Sequence, residues 1–275
     1  AINDNIGTSG SLSGAVSITG SGGITMGGDV YSNGQDISFN QAVSLTKNVQ
    51  VNTGSSLSGN VTFASTINGA FGLTTESGSG NTTFSGIIGD TSGLTSFSAS
   101  GNDVSVPSIG DADTVGVSGV TSLIASNELT LSGDTYKTNA ATYSSGAGQK
   151  IKLTAGSDVT FNSNSQNVEF ATGDVLLSDG SNLIVNAAAI TTQGIRGSST
   201  ETVSLTGSGA VSLGAIGNAG EIGDVTISGS SIGSAGITTS GGNISMNSGS
   251  GSGNISLGAV SYTHLRAHET SLYLV

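Results

Sequence analysis

The sequence predicts an all-β fold, a right-handed parallel β-helix (β-solenoid) of roughly twelve coils of about 21 residues each. Three observations lead there. Glycine supplies 45 of 275 residues, about one in six where ordinary globular usage is roughly 7%. Helix formers and charges are scarce: charged residues make up 9% of the chain against a typical ~25%. The third observation is a short motif that recurs along almost the whole length.

The motif is clearest in three segments that align without gaps, GNVTFASTINGAFGLTTESGS from Gly59, GNTTFSGIIGDTSGLTSFSAS from Gly80 and GNDVSVPSIGDADTVGVSGVT from Gly101. Their starts are 80 − 59 = 21 and 101 − 80 = 21 residues apart. Looser versions of the opening lie at Gly27, Gly34, Gly156, Gly173, Gly223, Gly242 and Gly253. Each pairs Gly with Asn or Asp, residues that tolerate left-handed backbone and make turns, and then gives an apolar-polar-apolar triplet, the signature of a very short strand. The outer residues of each triplet are expected to face inward: Val61 and Phe63, Val159 and Phe161, Val203 and Leu205, Val211 and Leu213, Val225 and Ile227, Ile244 and Met246, Ile255 and Leu257. The Ser and Thr between them are expected to meet water.

Strands of three or four residues are short for a sandwich, whose strands usually run about 5–6 residues. They suit a chain that turns a corner after each one. A single coil holds too few apolar side chains to offset the ordering of its backbone, so coils must stack and complete one another's core. Strands one coil apart are then parallel, and the crossover preference favours a right-handed winding.

With those repeats in hand, and the phrase ISFNQAVSLTKNVQVNTGSSLSGNVTF from Ile37 to Phe63, the chain resembles the repeat region of filamentous haemagglutinin-like large exoproteins over roughly residues 20 to 260. The resemblance implies a structural, non-enzymatic shaft of an exported bacterial surface adhesin, extracellular or on the cell surface. It implies export through an outer-membrane two-partner secretion transporter, and host-cell, matrix or bacterial surface glycans or proteins as partners. The family's amino-terminal secretion domain carries Asn-Pro-Asn motifs. The only proline here, Pro107, follows Val106, so that domain is missing from this sequence.

Charge and composition narrow the alternatives. Six Lys and Arg against 18 Asp and Glu give a formal net charge of −12, which repels phosphate backbones, so nucleic acid is not an expected partner. Zero cysteines exclude disulfides and thiolate metal sites. No stretch approaches the 18 or more apolar residues of a membrane helix, and no membrane insertion is expected. The chain opens at Ala1 without an initiator Met or signal segment, which fits an internal fragment.

No catalytic, cofactor-binding or metal-binding residue is assigned, and no cofactor is expected. The pair Asp111 and Asp113, near Asp103 and Asp90, suggests a carboxylate pair or cation site but reads better as solvated corner residues. The stretch from Gly133 to Lys152 gathers Tyr136, Tyr143 and three of the four lysines, Lys137, Lys150 and Lys152. It is expected to form a protruding loop or widened coil and is the best candidate contact patch. The rival reading is a polysaccharide-active β-helix enzyme, lyase or hydrolase. Against it stand the few basic residues, the absence of Trp to stack on a sugar, and the absence of any histidine before the last fifteen residues.

Those last residues form a second segment. The solenoid is assigned to 1–260 and a non-native tail to 261–275, SYTHLRAHETSLYLV, which has no glycine and holds His264, Arg266 and His268. The i, i+4 histidines lack the Glu of a zinc-protease helix. The string resembles translated sequencing-adapter read-through; the other reading is an amphipathic cap with Leu265, Leu272 and Leu274 on the last turn.

Overall fold

The computed structural model describes residues 1–8, 13–111, 113–114, 116–178, 180–198, 200–218, 220–249 and 253–262. Among these residues there is no helix, and every strand pairing is parallel. The chain is a β-solenoid of about eleven coils, against the twelve expected.

Three ladders of stacked strands run along it. Face one starts with Val16–Ile18, Ile37–Phe39, Val61–Phe63 and Thr82–Phe84 and continues through Val104–Val106, Leu129–Leu131, Lys150–Leu153 and Asp174–Leu177. Face two includes Ile24–Met26, Val43–Leu45, Thr135–Lys137, Asp158–Asn162, Asn182–Ala187, Val203–Gly207, Val225–Ser228 and Ile244–Asn247. Single bridges at Ile88 and Ile109 carry this face across its middle. Face three runs from Val30–Tyr31 through Val49–Asn52, Gly72–Glu76, Ser96–Gly101, Thr121–Ala125 and Ala141–Ser144 to Val168–Thr172. In the last coils, faces three and one fuse into long bent strands, Ile190–Arg196, Ala210–Ile216, Ser231–Thr239 and Ile255–Tyr262.

The strands stay stacked although the coils differ in length. On face one, Val175 lies on Ile195 and Val104 on Leu129, steps of 195 − 175 = 20 and 129 − 104 = 25 residues. Corners absorb the difference while strands keep their places. The gapless alignment of the sequence repeats holds from Gly59 to Gly80, where Val61 stacks on Thr82, and then slips by one: Thr82 pairs with Val104, not Asp103. A slip of one residue reverses every side chain in a strand, so the gapless register would have buried the Asp103 carboxylate.

The expected inward residues are buried from Val61 and Phe63 through Val225 and Ile227. Ile244 and Met246 are half-buried, and Ile255 and Leu257 are exposed, because the described chain places no further coil on theirs. The core is filled by like-on-like columns. Phe39 stacks on Phe63 at 4.4 Å between ring centroids and Phe63 on Phe84 at 5.3 Å, and Phe97 closes the row edge-on. A second aromatic set lies deeper along the rod, with Tyr136 stacked on Phe161 at 4.7 Å and Tyr143 on Phe170 at 5.4 Å.

The openings at Gly34, Gly156 and Gly173 take the left-handed backbone expected of them, with φ of 73°, 69° and 82°, but the Gly-Asn opening at Gly59 and Gly80 has a different cause. Gly59 and Gly80 do not adopt positive φ. A Cβ on Gly59 would collide with the carbonyl of Gln35 in the preceding coil, and one on Gly80 with the carbonyl of Gly59. Glycine is needed there because two corners touch. Its partner Asn carries hydrogen bonds between coils: the Asn60 backbone N–H donates to Asp36 Oδ1 at 2.8 Å, Asn81 N–H to Asn60 Oδ1 at 2.9 Å, and Asp103 N–H to Asn81 Oδ1 at 3.2 Å. Small hydroxyls line another corner from within; Ser32, Thr53 and Ser77 each donate to a carbonyl of the following turn, at Gln35, Gly59 and Gly80.

The final strand runs to Tyr262, past the expected boundary at residue 260. His264, Arg266, His268, Leu265, Leu272 and Leu274 lie outside the described residues.

Candidate functional site

The residues singled out from sequence are used by the fold. Asp111 closes a corner: its Oδ1 accepts the backbone N–H of Thr114 at 2.7 Å and of Asp113 at 2.9 Å. Those two donors hold its carboxyl below the usual range. Asp103 belongs to the ladder just described and also accepts Asn127 Nδ2 at 2.7 Å. Among the described residues, no three His, Cys, Asp or Glu gather in a way that would hold a metal ion.

The stretch from Gly133 to Lys152 is not a protrusion. It forms an ordinary coil with strands on all three faces, and Tyr136 and Tyr143 are fully buried. The alternation that puts an aromatic at each strand centre is the same one that buries Phe161 and Phe170 in the next coil. Tyr136 Oη donates to the carbonyl of Val106 at 3.2 Å and accepts the Gly133 N–H at 3.1 Å. Burial pushes both phenols well above their ordinary pKa. The contact-patch expectation therefore fails for its aromatic half.

Of its lysines, Lys137 ends a face-two strand, and Lys150 and Lys152 stand on face one. Lys150 Nζ lies 3.2 Å from Asp174 Oδ2, which also meets Arg196 Nη2 at 2.5 Å, so one carboxylate is held between cations from the coils on either side. Lys152 shares a surface column with Leu176 and Arg196. Below it the column is hydroxyl only: Ser17, Ser38, Thr62, Thr83, Ser105 and Thr130 stack in register. Such a surface offers repeated weak hydrogen bonds over a long flat strip.

A groove missed in the sequence runs along the corner between faces two and three. Its floor is a column in strict register, Asn162 on Asn186, Asn186 on Thr206, Thr206 on Ser228 and Ser228 on Asn247. Two hollows, of about 350 and 460 Å³, meet at Gly207 and Ser208 and make it continuous. Among the described residues, none that lines it is charged. The signal in the sequence is a polar residue at or next to the end of each face-two strand from Asp158–Asn162 to Ile244–Asn247, visible only once strands are placed in register.

Among the described residues Glu201 is the one buried carboxylate, 2% exposed. Burial pushes its pKa up, but the Ser198 hydroxyl at 2.6 Å and the backbone N–H groups of Ser198 at 2.7 Å and Thr200 at 3.3 Å outweigh that and leave it lowered. It ties down a corner.

No family model, curated protein or solved structure matches this chain. No helix among the described residues is long and apolar enough to cross a membrane.

Proposed function

We propose that the chain is the structural shaft of an exported bacterial surface adhesin, non-enzymatic, which presents an extended polar surface away from the cell. The resemblance of its Gly-Asn repeats to those of filamentous haemagglutinin-like exoproteins gives the setting: the cell surface or the medium, reached through an outer-membrane two-partner secretion transporter. The single observation that carries the reading is the use made of polar side chains. Asp36, Asn60, Asn81 and Asp103 are committed to hydrogen bonds between coils, and the faces between corners show stacked Ser and Thr. The polar groups thus build length and a uniform exterior.

A rod of this kind adheres by repetition. Each contact with a surface polymer is weak, but contacts on a rigid scaffold act at high effective concentration once the first is made. The test is retention of cells on immobilised chain under flow. Epithelial cells or neighbouring bacteria held no better than on a blank surface would overturn the proposal.

A further inference from the structure

We propose that the groove from Asn162 to Asn247 is a binding site for a linear, uncharged polysaccharide lying along the axis of the rod. Two observations carry this. The first is chemical: the floor offers amides and hydroxyls from five successive coils at the inter-strand spacing of about 4.8 Å. An amide supplies two donors and an acceptor, and a hydroxyl one donor and two lone pairs, the complement of a sugar's ring of hydroxyls.

The second is that these groups are idle. Elsewhere Asn side chains bridge coils, as Asn60 does with Asn81 and Asn182 with Thr202. Among the described residues, the Asn186 amide and the Thr206 and Ser228 hydroxyls make no hydrogen bond within the chain, and Asn162 and Asn247 use only their oxygens, on the local N–H of Asn164 and Gly249. Asn162, Asn186, Thr206 and Asn247 are exposed to solvent in the groove.

Other ligand classes fit less well. An acidic polymer finds no cation in the lining, and a lipid finds little apolar surface. A peptide adding as a strand needs a free sheet edge, and the strands along the groove from Asp158–Asn162 to Val225–Ser228 are paired on both sides; among the described residues only Ile244–Asn247, at the groove's end, has an open edge. With no aromatic ring in the lining, each sugar contributes modestly, and the long register supplies the sum.

The experiment uses the full chain, isotopically labelled, titrated with hexasaccharides of β-1,4-linked glucose, N-acetylglucosamine and mannose. At least one is expected to bind with Kd of about 0.1–10 mM and to shift the amide signals of Asn186, Thr206 and Ser228. The double variant Asn186→Ala/Asn247→Ala removes exposed side chains that tie no coils together, so it is expected to melt as the parent does. Its binding should weaken by about 5- to 30-fold, two hydrogen bonds' worth. The proposal is overturned if none of the three sugars binds at about tenfold above that range, if shifts map to another face, or if the double variant binds undiminished. A Ser/Gly hexapeptide that shifts the same signals more strongly than every sugar overturns it too. The inference rests on the adhesin reading only for where the glycan is met. Sugar binding without cell retention sinks that reading alone, and cell retention without sugar binding sinks this one alone.

Discussion

The backbone N–H of Asn81 donates to the side-chain oxygen of Asn60 one coil below, at 2.9 Å, and Asn81 in turn accepts from Asp103 one coil above. The relation is polar and directional, and it repeats at the same corner of consecutive coils. It therefore fixes which residue of one coil stands on which residue of the next.

Replacing Asn81 by Ala leaves the N–H of Asp103 without its partner and is expected to destabilise by about 1–2 kcal/mol. Asn81→Asp keeps the acceptor and is expected to cost less. Chemical denaturation of the three proteins measures this, with the slope unchanged if the coil network still unfolds as a unit. Equal losses for Ala and Asp would show that the acceptor is not what matters.

The Phe39, Phe63 and Phe84 column makes a packing prediction. Phe63 is fully buried between two rings, so Phe63→Ala is expected to cost about 3–5 kcal/mol and Phe63→Leu distinctly less. Thermal melts should rank the parent, Leu and Ala in that order.

Glycine supplies a matched pair. A Cβ at Gly80 meets the carbonyl of Gly59, whereas one at Gly233 meets nothing within 4 Å, and neither residue has positive φ. Gly80→Ala should destabilise by more than 1 kcal/mol, roughly the size of a strongly strained site. Gly233→Ala should be neutral or stabilise by up to about 1 kcal/mol through the unfolded chain. Urea midpoints that move together for both would remove close approach as the reason for the Gly-Asn opening.

Much of this architecture was legible in the sequence, because strand period and coil closure are local. Val61 and Phe63 announce their burial by alternation, and the Gly59 and Gly80 segments announce their own stacking. What lay hidden depends on counting across corners of unequal length. Asp103 shows this, since the repeat placed it one residue away from its true register. Tyr136 and Tyr143 were misjudged for a related reason. Their lysine and glycine neighbours suggested an irregular loop, but alternation within each short strand sends the rings inward and the lysines out. The groove at Asn186 was invisible for the same cause, as its floor residues lie 19 to 24 positions apart and share no motif.

Acid stability follows from Glu201. Its folded pKa lies below the unfolded carboxylate value of about 4.3, so the native state favours the ionised form. The stabilisation is fully present above that unfolded value and is lost as pH falls through the folded one. Glu201→Gln should lower the melting temperature at pH 7, and the gap from the parent should narrow as pH drops below about 4. A gap that stays constant from pH 7 to about 3 would show that the charge contributes nothing beyond the shape of the side chain.

The enzyme reading has one place to stand. On face one, Asp103 and Glu128 precede, and Lys150 and Asp174 open, strands that stack in order, and Arg196 lies beside the last. A lyase acting on uronate chains needs a base free to take a proton and cations free to neutralise the substrate carboxylate. Here Asp174 occupies both Lys150 and Arg196, and Asp103 is held by Asn127 and the backbone of Glu128. The expected outcome is that polygalacturonate and alginate incubated with the chain yield no unsaturated uronide and no new reducing ends. Asp174→Asn should then change only stability, by less than about 1 kcal/mol, since all three charges are partly exposed and screened. Turnover abolished by Lys150→Met, with the melting temperature retained, would transfer the chain from shaft to enzyme.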